Sequence, residues 1–212
     1  MPYNTYLFDI DGTLCDPGPS IIDSARYALA EIGITVTDET ELRRFVGPPL
    51  EHAFRDYYDF DPVKTAHAVD LFRQKLQRDG IKLYKPYPGI IELLEALQKS
   101  DKNIAVVTSK IEHIARDALK STALLKFFDI IGAQQPNEVV DKKVVLARVL
   151  DRLKVTNTSG IAMIGDRKHD IEAAKACNVE SIGVLWGYGS RDELVDESAT
   201  HIVTHPKEIL SL

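Results

Sequence analysis

Tyr6-Leu7-Phe8-Asp9-Ile10-Asp11-Gly12-Thr13 is the stretch on which the reading of this chain turns. Three apolar residues form a short buried strand, and two aspartates one residue apart close it. Alternate residues on a strand share a face, so both carboxylates can point toward one place as the strand ends. Gly12 then lets the backbone turn sharply without a Cβ clash. Like charges that close repel unless a cation lies between them or one holds a proton. The stretch therefore reads as a site and not merely as an acidic turn.

Working outward, further short apolar runs resemble it: Ile104 to Val107, Ile130 to Ile131, Ile161 to Ile164 and Ser181 to Leu185. None alternates, as expected of parallel strands covered on both faces. Helical patterns lie between them, including Ile90, Leu93, Leu94 and Leu97, then Ile111 to Leu119 and Val144 to Leu153. This alternation predicts an α/β fold, a doubly wound and mainly parallel sheet, with His201-Ile202-Val203 as a short edge strand.

From about Ser20 to Leu83 the rhythm changes to helices alone. Ile21, Ile22, Ala25, Leu29 and Ile32 make one apolar stripe; Val63, Ala66, Val69 and Phe72 suggest another, with Leu76 a turn further on. Proline-rich turns, Asp16-Pro17-Gly18-Pro19 and Tyr84-Lys85-Pro86-Tyr87-Pro88-Gly89, bracket the segment. The expected organisation is a core of residues 1–15 and 84–212 with a small helical domain, 16–83, inserted after the first strand.

Composition narrows the function. The 212 residues are 44% hydrophobic and 27% charged, an ordinary globular balance, and the formal charge of −6 has no run of one sign. That argues against a nucleic-acid polymer or an anionic membrane as the main partner. No apolar stretch approaches the roughly 18 residues of a membrane span. The two cysteines, Cys15 and Cys177, form no framework spacing, so a cytoplasmic location is expected. Oligomeric state is not readable.

Three more strand ends carry chemistry. Val107 leads into Thr108-Ser109-Lys110, hydroxyls offered where a strand is expected to stop and a helix to begin, a place suited to anions. Ile164 leads into Gly165-Asp166-Arg167-Lys168-His169-Asp170, with two acids four residues apart. Asp141-Lys142-Lys143 opens a helix with lysine, which the helix dipole disfavours. Ligands of open α/β sheets bind outside the carboxyl ends of the strands, where strand order reverses. If the first strand lies between those ending near Thr108 and Asp166, then Asp9, Asp11, Thr108, Lys142, Asp166 and Asp170 meet. Carboxylates, a hydroxyl and an ammonium suit a hard cation such as Mg²⁺ beside a phosphate. No His/Cys cluster suits zinc.

With these residues in hand, the chain resembles the haloacid dehalogenase superfamily phosphatases that carry a helical cap after the first strand. The resemblance spans nearly the whole length and four motifs in order: D-x-D-G-T, the strand-end threonine, the lysine and G-D-x-x-x-D. Gly187-Tyr188-Gly189-Ser190-Arg191 is also similar to phosphoglycolate phosphatase-like and bacterial 5′-nucleotidase-like members.

The resemblance implies that Asp9 attacks phosphorus to form an aspartyl-phosphate, and that Asp11 serves as general acid and then base. It implies Mg²⁺ held by Asp9, the Asp11 backbone carbonyl and Asp166, with Asp170 supporting its water shell. Thr108, Ser109 and Lys142 would bind the phosphoryl group; Lys142 is preferred to Lys143 because Val145, Leu146 and Leu150 then fall on the apolar helix face. The second acid, Asp11, speaks against a dehalogenase or a phosphonate hydrolase. The expected partner is a small phosphorylated metabolite, phosphoglycolate by preference. Nucleoside monophosphates, a sugar-phosphate mutase activity and an inactive phosphate-binding module are the alternatives. Arg44, Phe45 and Gly47, in a loop between cap helices, are candidate leaving-group contacts: an arginine for a carboxylate, Phe45 or a cap tyrosine for stacking on a base.

Overall fold

A computed structural model describes residues 3–46, 50–136, 138 and 140–212. In chain order the elements begin with strand β1 (Thr5–Phe8), strand β2 (Cys15–Asp16) and helices α1 (Gly18–Glu31), α2 (Glu39–Arg43), α3 (Leu50–Tyr58) and α4 (Pro62–Asp79). There follow β3 (Lys85–Pro86), α5 (Ile90–Lys99), β4 (Asn103–Ile111), α6 (Glu112–Ser121), β5 (Ile130–Gln134) and α7 (Lys142–Arg152). The chain closes with β6 (Ile161–Gly165), α8 (Lys168–Ala176), β7 (Glu180–Val184), α9 (Arg191–Asp196) and β8 (His201–Val203). It divides into two compact units, Met1–Asp16 with Lys85–Leu212, and Pro17–Tyr84.

The first unit is an α/β fold around a six-stranded parallel sheet of order β5-β4-β1-β6-β7-β8. Every residue of β1 is buried, because β4 and β6 pair with it on either edge and helices cover the sheet. Leu7, Ala105, Val107 and Met163 share one face and pack with Val145, Leu146 and Val149 of α7 and with Ala173 and Ala174 of α8. Tyr6 and Phe8 take the opposite face by alternation, where the Phe8 ring meets Phe128 edge-on. β2 and β3 form a separate antiparallel ribbon, Cys15 opposite Pro86 and Asp16 opposite Lys85.

Several expected boundaries move. β4 does not stop at Val107: it runs to Ile111, and its register against β5 shifts between those two residues. Thr108 thus sits in a strand irregularity, four residues before α6, and not at a helix start. The expected stripe on α4 is also displaced. The helix begins at Pro62 with Asp61 accepting from the Lys64 N–H, so Thr65, Ala68, Val69 and Phe72 turn inward. Val63 is 81% exposed, and Ala66 faces solvent beside it.

The second unit is helical throughout, closed by a 3₁₀ turn at Gly80–Leu83. Its core joins Ala25, Leu29, Leu42, Phe45, Phe54, Val69 and Phe72. Among the described residues, no helix is long and apolar enough to cross a membrane.

Candidate active site

The carboxyl ends of β1 and its neighbours bring the acids together. Asp9 follows β1, and its N–H donates to the Ile164 carbonyl at 3.0 Å, extending the ladder one step. Ile10 to Cys15 make a tight loop in which the N–H groups of Leu14 and Cys15 both return to the Ile10 carbonyl. Gly12 has φ +77°, and a Cβ there would stand 2.1 Å from Asp166 Oδ2. Only glycine takes that backbone and leaves space for the acid. Asp166 follows β6. Asp170, in the first turn of α8, accepts the Arg167 N–H at 3.0 Å.

Asp9, Asp166 and Asp170 are all buried, and each offers an oxygen within 4.8 Å of the others. Lys142, the first residue of α7, lies 2.9 Å from Asp9 Oδ2 and 2.6 Å from Asp170 Oδ1. This contact explains a lysine at a helix start: the charge it meets is specific and close. Lys143 instead pairs with Asp141 at the surface.

The electrostatics follow from burial. Burial pushes the Asp166 carboxyl up to about 7, while the Tyr188 N–H, donating to Oδ2 at 2.8 Å, pulls the other way. Burial likewise raises Asp170, against the pull of Lys142. For Lys142, burial favours the neutral amine, but Asp170 and Asp9 outweigh it and hold the ammonium. Lys142 contacts two of these three buried carboxylates, which leaves an excess of negative charge in a place with little water. All the donors are hard oxygens. The site therefore fits a divalent cation of the Mg²⁺ type on its own chemistry.

The other expected residues fall as follows. Asp11 Oδ2 lies 2.6 Å from Lys110 Nζ, and Oδ1 is buried without a hydrogen-bond partner among the described residues. Thr108 is buried and its Oγ1 accepts the Lys110 N–H at 3.3 Å. Ser109 is exposed and lines a cleft of about 510 Å³ with Lys142, Lys143 and His169. Arg44 and Phe45 belong to the helical unit. Its guanidinium covers the Tyr57 ring at 3.9 Å. The expectation that Phe45 stacks on a base is corrected: the ring is 1% exposed, packed on Phe54 at 4.9 Å and Tyr58 at 6.0 Å. Gly47 lies outside the described residues. Cys15 is fully buried, which raises its thiol to about 12 and leaves it unreactive.

Sequence reading missed four residues around the acids. Trp186 Nε1 donates to the Thr13 carbonyl at 3.0 Å, and the Tyr188 hydroxyl donates to Asp16 Oδ1. With the Tyr188 N–H on Asp166, one loop therefore braces both acidic loops. Glu193 accepts from Arg167 Nε at 2.9 Å and from the Lys168 N–H at 2.8 Å, fixing the start of α8. Lys110 is the fourth. The Gly187-Tyr188-Gly189 spacing was a visible signal for this loop, because a Cβ at Gly189 would stand 1.7 Å from the Asp166 carbonyl oxygen.

An acid cluster and a lysine at the carboxyl ends of a parallel α/β sheet make a site suited to a cation beside a phosphate. Residues 6–184 match the model of the haloacid dehalogenase-like hydrolases, and the chain belongs to that family as one of its phosphatases. It is 37% identical over 207 residues to a 5′-nucleotidase of Pseudomonas aeruginosa, covering 95% of this chain and 91% of the relative. It is 33% identical over 204 residues to the tyrosine-protein kinase PtkA of Mycobacterium tuberculosis, covering 96% and 69%. A solved structure of a candidate phosphatase from Clostridium difficile superposes with a TM-score of 0.93 at 37% identity, covering 100% of this chain and 98% of that one.

Proposed function

We propose that this protein is a Mg²⁺-dependent phosphomonoester hydrolase that works through an aspartyl-phosphate on a small phosphorylated metabolite. The observation that carries the reading is the buried cluster of Asp9, Asp166 and Asp170, with Lys142 on two of the three. Asp9 is the nucleophile: its carboxylate stands at the end of the central strand, oriented by Lys142. Attack forms the Asp9–phosphorus bond and breaks the bond to the ester oxygen, which takes the proton of Asp11. Asp11 then accepts a proton from the water that hydrolyses the acyl phosphate. Lys142, Thr108 and Ser109 bind the phosphoryl oxygens as charge gathers on them. Asp9, Asp166 and the Asp11 carbonyl would hold Mg²⁺, and Asp170 would support its water shell. The cation, when bound, neutralises charge on the phosphoryl oxygens and lets a dianion enter an acidic site.

Phosphoglycolate remains the preferred substrate class, with nucleoside monophosphates as the second reading because a 37% identical relative is named a 5′-nucleotidase. The free cysteines suit a reducing, cytoplasmic setting. The reading is tested by p-nitrophenyl phosphate hydrolysis with and without Mg²⁺. Metal-dependent turnover is expected; its absence would leave only a phosphate-binding module.

A further inference from the structure

Lys110 has no part in the reaction just described, since Lys142 already supplies the ammonium for Asp9 and Asp170. Yet it reaches the site. The register shift in β4 between Val107 and Ile111 re-aims the residues within it, as strand irregularities do. Lys110 Nζ ends 2.6 Å from Asp11 Oδ2, with its side chain 19% exposed. The Asp11 carboxyl is thus held along one edge, while Oδ1 stays buried without a hydrogen-bond partner among the described residues. The leaving oxygen must come to Asp11 to receive its proton, so the atoms attached to that oxygen come to rest beside Lys110.

We propose that Lys110 selects substrates whose leaving group carries a negative charge close to the ester oxygen. This rests on the reading of Asp11 as proton donor. A carboxylate one carbon from that oxygen, or a phosphate in its place, is short enough to reach the ammonium while the oxygen stays on Asp11. A largely buried ammonium is weakly screened, and its hydrogen bonds to anions are the strong kind. A neutral leaving group, such as a nucleoside or a sugar, has no charge to offer and covers the ammonium at a desolvation cost. The same geometry therefore favours one class and penalises the other.

The test compares kcat/KM for 2-phosphoglycolate and inorganic pyrophosphate with that for p-nitrophenyl phosphate and glycerol 2-phosphate, all with Mg²⁺. Lys110→Met is expected to lower kcat/KM for the two anionic leaving groups by roughly ten- to a hundred-fold, chiefly through KM, on the scale of a charge-assisted hydrogen bond. The neutral pair loses only what Asp11 loses with its support, so the ratio of anionic to neutral kcat/KM should fall by at least about tenfold. Lys110→Arg should restore most of the preference. Equal losses across both classes would overturn the proposal and leave Lys110 as a support for Asp11 alone. So would a wild-type enzyme with no preference for the anionic pair. If Lys110→Met does not fold, Lys110→Gln must lower the anionic-to-neutral ratio of kcat/KM in the same direction, or the proposal fails. Absence of Mg²⁺-dependent turnover of p-nitrophenyl phosphate by the wild type marks the separate failure of the phosphatase reading, and removes this inference with it.

Discussion

In the helical unit, Phe54 packs against Phe45, Phe60 and Phe72, and its buried hydroxyls turn back on nearby carbonyls: Ser24 on Ser20 at 2.7 Å, Thr65 on Phe60 at 3.3 Å. In the α/β unit, a core of similar apolar make-up ends abruptly at Asp9, Asp166 and Asp170, two of which meet Lys142. The helical unit spends its interior on packing. The α/β unit keeps charges where water is scarce, a costly arrangement that persists because it performs chemistry. The contrast says where mutations should read out as lost stability and where as lost turnover.

The largest expected effect is at Asp9. Asp9→Asn keeps the shape and a hydrogen-bond acceptor for Lys142 but removes the nucleophile, so turnover of p-nitrophenyl phosphate should be abolished while the far-ultraviolet circular dichroism is unchanged. Near-normal rates would exclude the covalent route. Phe54→Ala works on the other side of the comparison. Removing a fully buried ring from the helical core should cost about 3–5 kcal/mol, read from urea unfolding. A loss below about 1 kcal/mol, the scale of a surface change, would mean that this core is not closed around Phe54.

The same contrast explains what could be read from the sequence. The meeting of Asp9, Lys142, Asp166 and Asp170 was legible because strand ends are marked by apolar runs, and because unusual charges stand out against them. The parallel sheet was legible from runs such as Leu7-Phe8 and Met163-Ile164, which lack alternation. The irregularity in β4 was not, since Thr108-Ser109-Lys110 contains no glycine or proline to announce it. Val63 and Phe45 were misplaced for a related reason. An apolar residue beside a helix start does not say which way it faces: α4 begins at Pro62 with Asp61 as its cap, which turns Val63 outward, and Phe45 is drawn inward by Phe54 and Tyr58. The Trp186–Tyr188 brace acts partly through a main-chain N–H, which no side-chain pattern displays.

The smallest predicted effect is the sharpest test of the comparison, because its sign is opposite to that of Phe54→Ala. Asp166 is 1% exposed beside two other acids, and among the described residues Lys142 pairs with those two and not with Asp166. Without metal, its ionised form pays desolvation and repulsion with no cation of its own. Asp166→Asn keeps an oxygen for the Tyr188 N–H and removes the charge, so the metal-free protein should gain about 1–3 kcal/mol, as when a buried charge is replaced by a neutral group of its size. Mg²⁺ should raise the Tm of the wild type, since a ligand that binds only the folded state stabilises it, and should leave Asp166→Asn unmoved. Thermal melts with Mg²⁺ and with a chelator measure both. A variant less stable than the wild type without metal, or one that keeps the Mg²⁺ shift, would show that Lys142 already satisfies all three acids and that the charge at Asp166 is not held for a cation.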